Sequence, residues 1–351
     1  MQSIIGIGFL GAGPVTQAIH LPTLARLGDD FAIRHVTDID AAVAEAVAGR
    51  VGAVHSTSVD ALLDDPAVEV VAICSPHTFH AEQLIAACRA GKKAVLCEKP
   101  LAMSAAEAAA IAAVSAETGV PIVVGAMHTF DPGWRAAVAH WGDLPQSSHT
   151  IRSSIVLPPN SRFEDVATEV LSRPSFPTPD LTDVEVLAGM VHAGVMGLAI
   201  HDLPLIRSLL PRYDDLRVID AMFLAPFGYR ILFVAGGKSI ELHAAMSQTW
   251  QPNWVLEVFA DDQVLQVEFT PSFVHAGSAI STLTTSESAR VFGPTDVNGY
   301  EAEWRELAAI VRGESAPPST GDLVEDLRFA LAVADAAAEA VRSAQKAEVA
   351  A

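Results

Sequence analysis

A lysine stands at the end of a short apolar run: Ala94-Val95-Leu96-Cys97 is followed by Glu98-Lys99-Pro100. Such a run reads as a buried strand, and ligands of open α/β sheets bind beyond the carboxyl ends of strands. A lysine there can meet a cofactor or substrate, and the proline behind it can lock its backbone, for instance through a cis bond. Upstream lies Gly11-Ala12-Gly13-Pro14-Val15-Thr16, a GxGxxG pattern with Thr16 in the third glycine position. Gly11 allows a tight turn, Gly13 lets a pyrophosphate approach the backbone, and the helix start offers free amides to phosphate. Pro14 suits a first helical turn, where its missing N–H costs little. The same glycines also fit an ordinary strand–helix turn.

Asp38 follows Thr16 by 22 residues. A carboxylate there can accept from ribose hydroxyls and repels a 2′-phosphate. Its neighbours Ile39, Asp40 and Ala41 bring no arginine to receive that phosphate, so NAD is expected over NADP. Asp38 could instead cap the helix over residues 41–48, a job for which Asp40 is better placed.

The elements that must hold these residues alternate. Strands are expected over residues 4–10, 32–37, 70–74, 93–97 and 122–125, and helices from the glycine turn to about Arg26, over 41–48, over 81–90 with Gly91 as C-cap, and over 105–118. Repeated strand–helix units with short links imply a parallel, doubly wound sheet. From residue 126 the pattern changes. The runs 216–224, 228–234, 239–246, 254–259 and 264–269 predict a mainly antiparallel sheet, and residues 322–347 a long alanine-rich helix. Residues 157–183, rich in Pro, Ser and Thr, read as a loop-bearing insertion that forms either a ligand wall or a plain surface excursion.

With its glycine turn leading to His20-Leu21-Pro22, its Ser75-Pro76 and His80 loop, Gly91, Glu98-Lys99-Pro100 and Phe130-Asp131-Pro132, the chain resembles the Gfo/Idh/MocA oxidoreductases. The resemblance implies a Rossmann nucleotide domain over residues 1–125 and a second α/β domain over 126–351, whose open sheet helps form the substrate site and pairs copies into a homodimer or homotetramer. It puts Lys99 near the nicotinamide and the substrate hydroxyl. The residues expected to hold the cofactor are Gly11, Gly13, Pro14, Val15, Asp38, Ser75, Pro76, His80, Glu98 and Lys99. In relatives resembling inositol dehydrogenase an aspartate precedes a catalytic histidine by four positions on one helix, so that both face one pocket. His201 matches that histidine, but the position four earlier is Gly197. Either His201 works with Lys99 alone or with a carboxylate from elsewhere, or the site has lost catalysis, or His201 is a buried structural residue. His192 and Asp183 are local candidates for compensation, and Asp202 reads as a structural neighbour.

The formal charge of −20 repels nucleic acid and anionic lipid surfaces. The stretch 102–117 is interrupted by Ser104, Glu107, Ser115 and Glu117, which suits a surface helix rather than a membrane span. Cys74, Cys88 and Cys97 lack metal-type spacing, and the twelve histidines are scattered, so no metal site is expected and the thiols read as buried in a reducing cytoplasm. The leading expectation is an NAD-dependent oxidoreductase acting on a secondary alcohol of a sugar, cyclitol or related polyol. Its alternatives are a catalytically altered nucleotide-binding sensor, and a relative that uses tightly held NAD during glycoside cleavage.

Overall fold

Six apolar runs of the first third form the strands β1 (Ile5–Leu10), β2 (Phe31–Thr37), β3 (Val54–Ser56), β4 (Val70–Ile73), β5 (Ala94–Glu98) and β6 (Ile122–Gly125). The computed structural model describes residues 3–173, 175, 177–247, 252–272 and 274–350, with side chains up to residue 344. The strands pair in parallel in the order β3-β2-β1-β4-β5-β6. β1, β4 and β5 are buried at every position, as strands covered on both faces require. The sequence order turns back between β1 and β4, which opens a crevice beyond their carboxyl ends. Helices follow where expected: Asp40 Oδ1 caps Ala41–Val51 by accepting from the Ala42 and Val43 amides, and Gly91 adopts φ 69° after His80–Arg89. The three-residue β3 and the helix Val59–Leu63 were not anticipated; both are shorter than a periodic pattern needs to declare itself.

The second sheet uses β7 (Thr150–Leu157), β8 (Arg217–Phe223), β9 (Gly228–Ala235), β10 (Lys238–Met246), β11 (Asn253–Phe259), β12 (Gln263–Glu268), β13 (Ile280–Thr285) and β14 (Ala289–Phe292). Its order is β14-β13-β12-β11-β7-β10-β9-β8, with β7 and β10 parallel and every other pair antiparallel. β7, which the sequence reading passed over, lies near its centre. Its Ile151, Ser153 and Ile155 are buried, while Arg152 is exposed beside Glu241 and Glu257.

The chain divides into two compact units. The first comprises Met1–Ala126 together with Phe163–Ser175 and Tyr300–Leu327, and the second the remainder. Two segments beyond residue 126 thus group with the first unit. Gln17 explains one recruitment: its buried amide donates to Leu171 O at 3.1 Å and accepts from Leu171 N at 2.9 Å. Trp304 explains the other, being fully buried against Phe9, His20 and Phe31. The expected insertion 157–183 holds the helix Ser161–Ala167.

Around His201 the local structure departs from the sequence reading. The helix Val184–Gly197 ends at Gly197, Leu198 leaves helical geometry at φ −121° and ψ −57°, and His201 closes a separate 3₁₀ turn, Ala199–His201. Gly197 and His201 are thus not successive positions on one helix. The stretch Val184–His201 has the length and mean hydropathy (1.5) of a membrane span; here Leu198 breaks it, and Gly194 packs against the Tyr229 ring.

Candidate functional site

In the first unit the glycine turn is built as a cradle. Gly11 has φ 96°, and a Cβ there would lie 2.6 Å from Cys74 and Ser75 backbone atoms, so only glycine fits. A Cβ on Gly13 would meet nothing within 4 Å. That is open space above a helix start, where backbone N–H groups and the helix dipole favour an anion. Thr16 fills the third glycine position by burying its side chain and donating from Oγ1 to Gly11 O at 2.7 Å. Pro14 and Val15 form the first helical turn.

Asp38 sits at the end of β2. Its Oδ2 accepts from Ala12 N at 2.8 Å and its Oδ1 from Asp40 N at 3.0 Å, so it fixes the glycine turn. It also lines a pocket of about 510 Å³ with Gly11, Asp60, Ser75, Pro76 and Glu82. Among the described residues, no lysine, arginine or histidine lines that pocket. Its lining is mainly apolar, and the carboxylates of Asp38, Asp60 and Glu82 give it acceptors beyond the carboxyl end of β1 that suit ribose hydroxyls. His80 was expected to touch cofactor. Its ring nitrogens face Pro100 O at 2.7 Å and Ser75 O at 2.9 Å, tying the Ser75 loop to the turn after Lys99.

The Lys99–Pro100 bond is cis. Burial pushes the Lys99 ammonium down from its ordinary range, and Glu98 opposes that shift. Burial also works against ionised Glu98, but the His20 hydrogen bond and the nearby Lys99 outweigh it and hold the carboxyl low. His20 Nε2 lies 3.0 Å from Glu98 Oε1, and Trp304 Nε1 lies 3.1 Å from His20 Nδ1. An indole N–H only donates, so His20 Nδ1 accepts and its proton sits on Nε2, toward Glu98. Burial disfavours imidazolium at His20, although ionised Cys74 and Glu98 would together hold it up to about 10. Burial pushes the Cys74 thiol up as well, which removes the larger of those charges, so the ring is neutral. Glu98 therefore reaches Lys99 already oriented by His20 and Trp304. Its Oε2 accepts from Lys99 N at 3.2 Å.

In the second unit His201 is buried in an aromatic corner, its ring 5.4 Å from Trp254 and 5.8 Å from His128 between centroids. Asp202, fully buried, organises this corner. Its Oδ1 accepts from His128 Nδ1 at 2.8 Å, its Oδ2 from Ser153 Oγ at 2.6 Å, and Trp254 Nε1 donates to both at 3.1 and 2.9 Å. Phe269 stacks on His128 at 3.7 Å with 11° between the rings. With Nδ1 donating to the carboxylate, the neutral ring has its lone pair on Nε2; that atom is buried with no hydrogen-bond partner among the described residues. This is an imidazole backed by a buried carboxylate, beside His201. His128 drew no role from the sequence, since its partner comes from a distant segment.

The other local candidates lie elsewhere. Asp183 caps Val184–Gly197 through Glu185 N, and His192 Nε2 pairs with Asp335 at 3.3 Å. No group of His, Cys, Asp and Glu able to hold a metal occurs among the described residues.

Residues 5–126 match a family model described as an oxidoreductase family with an NAD-binding Rossmann fold, the Gfo/Idh/MocA group. Inositol 2-dehydrogenase 3 of Saccharopolyspora erythraea is 38% identical over 132 residues, which is 37% of this chain and 38% of that protein. The 1,5-anhydro-D-fructose reductase of Ensifer adhaerens is 34% identical over 133 residues, 38% of each. The match therefore spans little more than a third of these curated relatives. Among solved structures, UDP-N-acetylglucosamine 3-dehydrogenase from Acidithiobacillus ferrooxidans aligns with a TM-score of 0.71 over 97% of this chain and all of that one, at 19% identity. KijD10, a 3-ketoreductase from Actinomadura kijaniata in complex with NADP and TDP-benzene, aligns with a TM-score of 0.69 over 97% and 98%, at 20% identity. At such identities these two share the fold.

Proposed function

Starting from a chain whose residues 5–126 belong to the Gfo/Idh/MocA oxidoreductase family, we propose that it is an NAD-dependent dehydrogenase or reductase. Its substrate is a secondary alcohol of the sugar, cyclitol or polyol type, or the matching ketone, and copies of the chain pair as a dimer or tetramer. The observation that carries this reading is the Asp202–His128 pair, a carboxylate-backed imidazole beside His201 in a chain that has glycine at position 197. Bound NAD would supply the hydride acceptor.

The residues of the chain do the rest. Gly13, Pro14 and Val15 offer the helix start to the pyrophosphate, and Asp38 with Ser75 and Pro76 lines the ribose pocket. Three carboxylates, Asp38, Asp60 and Glu82, line that pocket with no cation among the described residues, so a 2′-phosphate there would meet like charge. That favours NAD. Lys99 donates to the reacting oxygen and polarises it; Glu98, held by His20, fixes the strand end that carries it. Oxidation of a CH–OH group removes a hydride from carbon and a proton from oxygen. His201 takes that proton as general base, and His128 with Asp202 orients His201 and stabilises its protonated form. The test is direct: reduced-cofactor absorbance is followed with NAD and a panel of secondary alcohols. NAD binding without turnover by wild-type protein across the panel would point to the sensor reading instead.

A further inference from the structure

We propose that the second unit carries a subsite for an apolar alkyl or aryl substituent of the substrate, opening at Gly197. A pocket of about 400 Å³ is lined there by Leu157, Pro159, Leu198, Phe227 and Met246 together with Gly197. Among the described lining residues Asn160 alone brings a polar side chain. A Cβ on Gly197 would meet nothing within 4 Å, so the missing side chain leaves room rather than being replaced by a neighbour. Leu198 forms part of the wall and precedes by three positions His201, the proposed base.

The lining decides the ligand class. A cavity of roughly 150 Å³ with apolar walls already admits benzene, so this one has space for a larger hydrocarbon group. Among the described side chains a hydroxyl placed in it finds Asn160 at most, and an unpaired buried hydroxyl weakens binding. A bare polyol therefore gains little here, whereas each buried methylene improves affinity about fourfold. The substrate that fits carries its reacting CH–OH near His201 and an apolar arm against Leu157, Phe227 and Met246. This inference rests on the dehydrogenase reading for the position of the reacting carbon, but the subsite is tested by binding alone.

The probes are 2-alkanols from 2-butanol to 2-nonanol, with myo-inositol as the polyol control. Dissociation constants are measured by ligand-observed NMR on the whole purified protein, without turnover. Affinity is expected to rise about fourfold per methylene until the pocket is filled, and every alkanol beyond 2-hexanol should outbind myo-inositol. Gly197→Leu fills the space and should flatten the series; Phe227→Asn, on another wall, should lower its slope if Gly197→Leu fails to fold. A flat series in wild-type protein overturns the subsite, as does a slope unchanged in whichever of these variants keeps the wild-type circular dichroism. A steep series in a protein that reduces no NAD with any alcohol of the turnover panel would leave the subsite standing and contradict the dehydrogenase reading.

Discussion

His128 and Asp202 are 74 positions apart in the chain and 2.8 Å apart in space, joined by a buried Nδ1–H hydrogen bond to the carboxylate. That bond sets the tautomer of an imidazole whose other nitrogen is buried beside His201. The corner around His201 thus draws its carboxylate from a position one after His201 rather than four before it.

Asp202→Asn tests this arrangement. An amide cannot accept on both sides, so Ser153, Trp254 or His128 loses its acceptor inside the core. The account predicts a loss of about 3 kcal/mol in chemical denaturation and a fall in kcat on the order of 100-fold or more. Ser153→Ala, which removes one donor and leaves the carboxylate paired, should cost about 1 kcal/mol. Equal and small effects from both variants would contradict the role of Asp202.

The two glycines of the turn should separate folding from binding. Gly11→Ala meets backbone at 2.6 Å with φ at 96°, and a loss of about 2 kcal/mol or more is expected. Gly13→Ala has open space and should keep the wild-type melting temperature while weakening NAD about tenfold, measured by calorimetric titration, because the methyl occupies the phosphate approach.

The proposed preference for NAD rests on Asp38. Wild-type protein should bind NAD at least about tenfold tighter than NADP, a difference of about 1.4 kcal/mol. The double substitution Asp38→Ser with Ile39→Arg should narrow or invert that ratio. Fluorescence titration with both reduced cofactors measures it.

Glu303 gives a pH signature. It is fully buried, neither carboxyl oxygen has a hydrogen-bond partner among the described residues, and burial, with Glu98 nearby, pushes its carboxyl well above the ordinary range. The folded state therefore holds a proton that the unfolded state releases near pH 4.5. Its contribution to stability is complete below that pH and declines as pH rises toward the folded-state value, by at most about 1.4 kcal/mol per pH unit. Glu303→Gln keeps the shape without the proton. Between pH 5 and 8 its stability, from urea titrations, should fall less steeply than that of wild-type protein.

The strand–helix alternation, the Asp40 cap, the αL Gly91 and the strand-end Lys99 were legible because each is a local pattern. β7 was not, because its Ser153 and Ser154 interrupt the apolar run although Ile151 and Ile155 face the core. The expectation that 197 and 201 share a helix missed the break at Leu198, for which no proline gives warning. His128 could have been suspected only from its place beyond the carboxyl end of β6; its meaning comes from Asp202, Ser153 and Trp254, which the tertiary fold delivers.

The central claim is hydride transfer to NAD with Lys99 and His201 in working roles. Its most direct measurement is the rate of reduced-cofactor appearance on the best alcohol of the panel, for wild-type protein, Lys99→Ala and His201→Ala. The account predicts NAD-dependent turnover in wild-type protein and a loss on the order of 100-fold or more in each folded variant. Turnover that survives either substitution at the wild-type rate would contradict it.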